Sequence, residues 1–103
     1  MADLRLLYST FPNEKEAQKI ADKLVELKLA ACVVLFKGVS STYVWKGKRV
    51  KAKEVAMLVK SDRKTASKAM RKLESLHPYD CPCVIMFKTA EVNKAYISWA
   101  SKV

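Results

Sequence analysis

A β-rich tract in the middle of the chain, broken by one short turn, constrains the fold more than any other feature. From Ala30 to Trp45 the sequence is rich in Val, Phe, Tyr, Ser and Thr, which favour extended strands. Lys46-Gly47-Lys48 is a turn signal. Beyond it the side chains alternate along a second long segment, with Val50, Ala52, Glu54, Ala56 and Leu58 set against Val55, Met57 and Val59. The tract therefore predicts a long β-hairpin, bent at Gly38.

Shorter strands and a capped helix come before and after this hairpin. Leu4 to Thr10 and Val84 to Lys88 are apolar runs typical of buried strands. Asn13, followed three residues later by Glu16, forms a capping-box pattern. The apolar stripe behind this pattern predicts a first helix from about Glu14 to Lys28.

Two further helices are predicted nearer the C-terminus. Ser61-Asp62 offers an N-cap for the second helix, and His77-Pro78 ends it because proline cannot continue a helix. Asn93 offers the cap of a short terminal helix that carries Tyr96 and Trp99. The order of elements is βαββαβ plus a helix, which predicts an α+β, ferredoxin-like sandwich.

The chain length and the long hairpin bear on domain organisation and assembly. With 103 residues, half of them apolar, and no break in composition, we predict a single domain over residues 1–103. The hairpin strands are longer than the others and should overshoot the sheet, which leaves edges that need a partner. With Val44 and Trp45 near its tip, we interpret the excess length as an oligomerisation device rather than a merely exposed, twisted hairpin.

Charge and cysteine content bear on partners and location. The formal net charge of +10 attracts polyanions such as nucleic acid or acidic lipid, although it also simply keeps a protein soluble. The three cysteines are an odd number and favour a reducing compartment. We see neither a signal-peptide pattern nor an apolar run long enough to cross a bilayer, so we expect a cytoplasmic location.

The stretch from Leu76 to Ile85 holds the densest chemistry. It contains the only histidine, His77, together with Asp80, Cys81 and Cys83. Imidazole and thiolate ligands suit Cu(I) or Zn, so these four residues are the candidate metal ligands. The alternatives are a rigid loop leading into a strand, and a histidine that caps the helix end and bonds to a neighbouring carbonyl.

Other aromatic and sulfur-bearing residues have structural interpretations. Tyr43 and Trp45 share a face of the hairpin and either stack on a ligand or, as we favour, contact another subunit. Cys32 lies in an apolar strand, where we expect core packing. With one histidine, few acids and no glycine-rich phosphate loop, the sequence does not favour an enzyme.

The residues nevertheless carry one specific likeness. The chain resembles the CutA family of divalent-cation-tolerance proteins through segments that occur in the family's order, namely Pro12-Asn13-Glu14, Lys28 to Val33, Gly38 to Lys48, Leu76-His77-Pro78-Tyr79 and Tyr96 to Trp99. The resemblance implies a tight homotrimer in which the long hairpin strands pair across subunits, much as in the PII signalling proteins. It also implies a role in tolerance of copper and other divalent metals, without an accepted catalytic activity.

Several positions depart from the family pattern. Members that look competent for copper have a cysteine at the end of the first strand and paired histidines before Pro-Tyr, whereas this chain has Ser9 and Leu76-His77. Of the acidic positions that follow, Asp80 keeps the carboxylate and Cys83 does not.

An alternative to metal tolerance is a polyanion- or membrane-surface-binding module on the same trimer. It is suggested by the basic residues of the hairpin, which are Lys46, Lys48, Arg49, Lys51 and Lys53.

Overall fold

A computed structural model describes residues 3–103; the first two residues of the predicted domain lie outside it. The strands are β1 (Leu4–Phe11), β2 (Cys32–Trp45), β3 (Lys48–Asp62) and β4 (Val84–Lys88), and the helices are α1 (Glu14–Glu26), α2 (Ala66–Leu76) and α3 (Lys94–Ala100). The strands form one antiparallel sheet in the order β2-β3-β1-β4. The predicted ferredoxin-like arrangement with a C-terminal helix is confirmed.

The first helix and the hairpin turn form where local chemistry predicts them. The backbone N–H of Glu16 donates to Asn13 Oδ1 at 2.9 Å, so Asn13 caps α1 as expected. Lys46 and Gly47 have φ angles of 51° and 77°, the left-handed conformations required by a tight two-residue hairpin turn. The bend predicted at Gly38 is a register shift between Phe36 and Val39, with Gly38 at a φ of 68°.

Three local predictions were wrong. Asn93 precedes α3, but its side chain accepts no capping hydrogen bond. Ser61-Asp62 does not cap the second helix, because β3 continues through Asp62 and α2 begins only after Thr65. Ser61 instead donates its hydroxyl to the backbone carbonyl of Leu29 at 2.7 Å, which ties β3 to the segment after α1. Cys32 is only half-buried and does not belong to the core.

The helices α1 and α2 cover one face of the sheet and leave the other largely bare. The covered face supplies the core, in which Leu7, Phe11, Met57 and Val59 pack against Leu24 and Leu73. We call the opposite side the open face, and its apolar residues are Tyr8, Val34, Phe36, Leu58, Ile85 and Phe87. The helix α3 reaches this side through Tyr96, whose ring centroid lies 5.0 Å from Lys60 Nζ.

The hairpin extends well beyond the rest of the sheet. Pairing between β1 and β3 ends at Phe11 and Val55, so from Lys48 to Glu54 the strand β3 pairs with β2 alone. The molecule measures 46 × 26 × 22 Å as a result. The predicted overshoot is confirmed, and it leaves one edge of β3 without a strand partner in the described part of the chain.

Candidate functional site

The segment between α2 and β4 lies against the end of β1 and the base of the overshooting hairpin. Helix α2 ends at Leu76, and His77 already has an extended backbone, with φ −66° and ψ 136°. This conformation is the one that a following proline favours, because the proline ring disfavours a helical residue before it. Pro78 thereby directs His77 and Tyr79 toward the sheet.

His77 makes hydrogen bonds through both ring nitrogens. The backbone N–H of Tyr79 donates to Nδ1 at 3.2 Å, so Nδ1 is an acceptor. Nε2 lies 2.9 Å from the carbonyl oxygen of Thr10 and 3.1 Å from Ser9 Oγ. Since a carbonyl only accepts, Nε2 carries the proton and the ring is neutral. The ring also stacks on Phe11 at a centroid distance of 4.3 Å.

This environment shifts the protonation equilibrium of His77. Burial lowers its pKa below the ordinary value of 6.5, and the hydrogen bond to Thr10 and the negative charge of Glu54 offset this only in part. The neutral ring is therefore favoured in the folded state more than in the unfolded chain.

The lowered pKa predicts that the protein loses stability in mild acid. Between the folded-state pKa and 6.5 the unfolded chain binds the proton more readily than the folded protein does. The free energy of unfolding should therefore be highest above pH 6.5 and should fall as the pH drops through the folded-state pKa. Denaturant unfolding curves recorded between pH 4 and 8, about every half pH unit, give the change of the free energy of unfolding with pH. Because His77 is the only histidine, its proton NMR signal reports the pKa directly.

A His77→Gln variant is the matched control for this pH dependence. Glutamine offers one donor and one acceptor, as the neutral imidazole does, but it does not titrate. The variant should show a flatter curve than the wild type between pH 5 and 7, where few other side chains titrate. Parallel curves for the two proteins would contradict the role assigned to His77.

Tyr79 connects the same segment to the hairpin. Its hydroxyl donates to Glu54 Oε2 at 2.6 Å. Burial raises the pKa of Tyr79 above its ordinary range, and the adjacent Glu54 carboxylate and Tyr43 raise it further, so the phenol remains a donor. Glu54 is only 7% exposed and lies one residue before the point where β3 begins to pair with β1.

Most of the predicted site residues line one cavity with these groups. Asp80, Cys81 and Cys83 border a cavity of about 400 Å³, whose other walls are Thr10, Tyr43, Trp45, Glu54 and Tyr79. We call it the Glu54 pocket. His77 is not one of its lining residues, since its ring is turned toward Phe11 and Thr10.

Comparison with known proteins places the chain in a family. The family model described as "CutA1 divalent ion tolerance protein" matches residues 5–103. The divalent-cation tolerance protein CutA of Thermotoga maritima is 39% identical over 94 residues, which cover 91% of this chain and 92% of the relative. The chain belongs to the CutA1 family. A CutA from Pectobacterium atrosepticum is 35% identical over 99 residues, covering 96% of this chain and 90% of the relative.

A solved structure agrees with this assignment. The divalent ion tolerance protein CutA1 from Ehrlichia chaffeensis superimposes with a TM-score of 0.95 at 32% sequence identity, covering 99% of this chain and 95% of that one. The resemblance found in the sequence is thereby confirmed. The CutA1 family is named for tolerance of divalent ions and not for a reaction.

The family name raises the question whether residues of this chain fit a metal ion. Within residues 3–103 no three His, Cys, Asp or Glu side chains converge as a ligand set. Both nitrogens of His77 are engaged in hydrogen bonds, while Cys81 and Cys83 are exposed free thiols. Metal ligation by His77, Asp80, Cys81 and Cys83 therefore stays a prediction.

Glu54 is the site residue that sequence reasoning missed. The alternating pattern of β3 predicts only that Glu54 lies on one face of the strand. Its signal is compositional, because Glu54 is the only acidic residue between Glu26 and Asp62 in a strongly basic stretch. An isolated acid on an otherwise apolar strand face indicates a buried partner, and that partner is Tyr79.

Proposed function

We propose that the chain assembles as a homotrimer that acts in divalent-cation tolerance as a non-catalytic, cytoplasmic protein. The observation that carries this proposal is the bare open face of the sheet. Val34, Leu58, Tyr8 and Ile85 form one apolar row across all four strands. Nearby, Phe36 is 50% and Phe87 is 48% exposed. A contiguous apolar surface of this kind is typical of an association interface.

The overshooting hairpin supports the same assembly. The edge of β3 from Lys48 to Glu54 has backbone groups that no strand of the described chain pairs with. Edge strands of this length promote pairing with another chain unless something covers them. Subunits related by a closed rotation satisfy all such edges equally, whereas an open arrangement would leave two unpaired. The number of three subunits rests on the family resemblance. Sedimentation equilibrium tests the proposal, which predicts a mass three times that of one chain over a wide concentration range.

For the metal-related role we propose that Asp80, Cys81 and Cys83 contact copper or zinc at the mouth of the Glu54 pocket. Thiolates select Cu(I) and Zn²⁺ over Mg²⁺ and Ca²⁺, and all three residues border the same cavity. The remaining donors would come from a neighbouring subunit. His77 is not part of this ligand set because both of its ring nitrogens are engaged in hydrogen bonds.

No helix among residues 3–103 has the length and apolarity that crossing a bilayer requires.

A thiol-based contact predicts that metal binding depends on the two exposed cysteines. Under reducing conditions, replacing Cys81 and Cys83 with Ser should weaken Zn²⁺ binding by about tenfold or more, because serine hydroxyls are poor ligands for this ion. Competition titration against a chromophoric zinc chelator measures the change. Cys32→Ser is the matched control, since this thiol lies on β2 and does not line the pocket. Equal affinities in the double variant and the wild type would contradict the proposal.

A second candidate function is polyanion binding, favoured by a basic stripe on the hairpin. Arg49, Lys51 and Lys53 alternate along β3 and therefore point to the same face. Their cross-strand neighbours on β2 are Val44, Thr42 and Ser40, none of which is acidic. None of the three cations forms an ion pair within residues 3–103. Three unpaired cations per subunit, in a chain of net charge +10, favour contact with a phosphate or sulfate polymer.

The basic stripe predicts salt-sensitive retention on heparin. Replacing Arg49, Lys51 and Lys53 with Gln should lower the salt concentration needed for elution, because fewer counterions are released on binding. A control variant replaces Lys68, Arg71 and Lys72 on α2, which removes the same number and kind of charges elsewhere. If both variants elute at the same salt concentration, net charge alone accounts for retention and the stripe is not a binding surface.

A further inference from the structure

Only one of the two oxygens of the buried Glu54 carboxylate has a hydrogen-bond partner within the described residues. It is 7% exposed, and Oε2 accepts the hydroxyl of Tyr79 at 2.6 Å. Within residues 3–103 Oε1 accepts no hydrogen bond, and no Lys, Arg or His nitrogen lies within 4 Å of the carboxylate. Burying a carboxylate is costly unless a cation or several donors accompany it. No positively charged partner among residues 3–103 offsets this cost for Glu54.

The free oxygen of Glu54 is not fully enclosed, and Glu54 lines the pocket. In the described part of the chain no side-chain oxygen or nitrogen is both fully enclosed and without a hydrogen-bond partner. Oε1 has no partner, so it must keep contact with open space, and the space beside Glu54 is the pocket that it lines. A group that enters the pocket can therefore reach this oxygen.

Aromatic rings form the walls around that oxygen. Glu54 pairs with Val39 across the hairpin, and alternation from Val39 puts Tyr43 and Trp45 on the same face as Glu54. Both rings line the pocket and remain nearly half exposed, and Tyr79 forms a third wall. The faces of such rings attract cations, Trp most strongly.

We propose that the Glu54 pocket binds a small organic ammonium ion, with the charged nitrogen against Glu54 Oε1 and the carbon skeleton between Tyr43 and Trp45. The volume of about 400 Å³ suits a small organic ligand. Beside Glu54 the ring walls favour an organic cation, and the carboxylates of Glu54 and Asp80 repel anions. The ammonium site is distinct from the proposed metal contacts, because it depends on Glu54, Tyr43 and Trp45 and not on the thiols of Cys81 and Cys83.

Titration with benzylammonium tests the proposal, with benzyl alcohol as its uncharged counterpart of nearly the same shape. Chemical-shift changes of the Trp45 indole N–H report binding to the full-length protein. Wild-type protein should bind benzylammonium at least about tenfold more tightly than benzyl alcohol, as a charge-assisted hydrogen bond implies. Glu54→Gln should remove this preference, because the amide keeps an acceptor for Tyr79 but has no charge. Glu74→Gln, which removes an exposed charge on α2, should leave it intact.

Further variants keep the proposal testable if Glu54→Gln fails to fold. Trp45→Leu lies at the exposed end of β2, and it should weaken benzylammonium binding severalfold. The double Cys81, Cys83→Ser variant leaves the Glu54 charge in place and should keep the preference for benzylammonium over benzyl alcohol even if its affinity for both compounds changes, which separates this ligand from the metal. Equal affinity for amine and alcohol, or unchanged binding by Glu54→Gln, would overturn the proposal. A crystal structure with a lysine or arginine of a neighbouring subunit on Glu54 would overturn it as well.

Discussion

Replacing Phe36 with Glu should convert the proposed trimer into monomers. Phe36 lies on the outer strand β2, opposite Ala56, and its ring is 50% exposed on the open face. In the proposed trimer this ring is buried against another subunit. A carboxylate in its place would lose its water without gaining a partner, at a cost of roughly several kcal/mol per subunit. Threefold symmetry repeats that cost three times in each assembly, which makes dissociation the expected result.

Val25→Glu is the control for this experiment. Val25 lies on α1 and is 47% exposed, close to the value for Phe36, but it belongs to the helical side of the sheet. Light scattering coupled to size exclusion should give a monomer mass for Phe36→Glu and the wild-type mass for Val25→Glu. Far-UV circular dichroism of the separated species shows whether the monomer keeps its fold. A Phe36→Glu variant that remains trimeric would place the interface away from the open face.

Local chemistry accounts for the parts of the fold that the sequence predicted well. The Asn13 cap, the Lys46-Gly47 turn and the helix stop at His77-Pro78 each depend on residues within a few positions of one another. Such contacts form whatever the rest of the chain does. Tertiary contacts decided the element that was misplaced. The Ser61 hydroxyl bonds to Leu29, 32 residues away in sequence, and this contact keeps Ser61 in β3 when its local pattern suits a helix cap.

The candidate site was predictable in location but not in internal arrangement. Asp80, Cys81 and Cys83 do border a cavity, as expected for a chemically dense loop. The orientation of His77 depended on Thr10 and Ser9, more than 60 residues away, which no local pattern encodes. Glu54 reaches the site for the same reason, since only the folded sheet brings β3 beside Tyr79. Side-chain chemistry therefore located the loop, whereas long-range packing determined which of its residues are free.

Replacing Phe11 with Ala should cause the largest loss of stability among single substitutions in this core. Phe11 ends β1, is fully buried, and packs within the cluster that joins the sheet to α1 and α2. Removing a buried phenyl ring costs about 3–5 kcal/mol, from lost apolar burial and from the cavity that remains. Denaturant unfolding at a fixed protein concentration measures the change, because the stability of the proposed trimer would depend on concentration. Val25→Ala, at an exposed position, should change the free energy of unfolding by less than about 0.5 kcal/mol.

The same substitution should also be visible at His77. The imidazole stacks on Phe11 at 4.3 Å, and burial is the main cause of its lowered pKa. Without the phenyl ring water reaches the imidazole, the penalty on the charged form falls, and the pKa of His77 should rise toward 6.5. The NMR titration of the single histidine measures this shift in protein that is still folded. A pKa that stayed at its wild-type value in Phe11→Ala would mean that burial by other groups, or the hydrogen bond from Tyr79 N–H to Nδ1, and not burial by Phe11, keeps the pKa of His77 low.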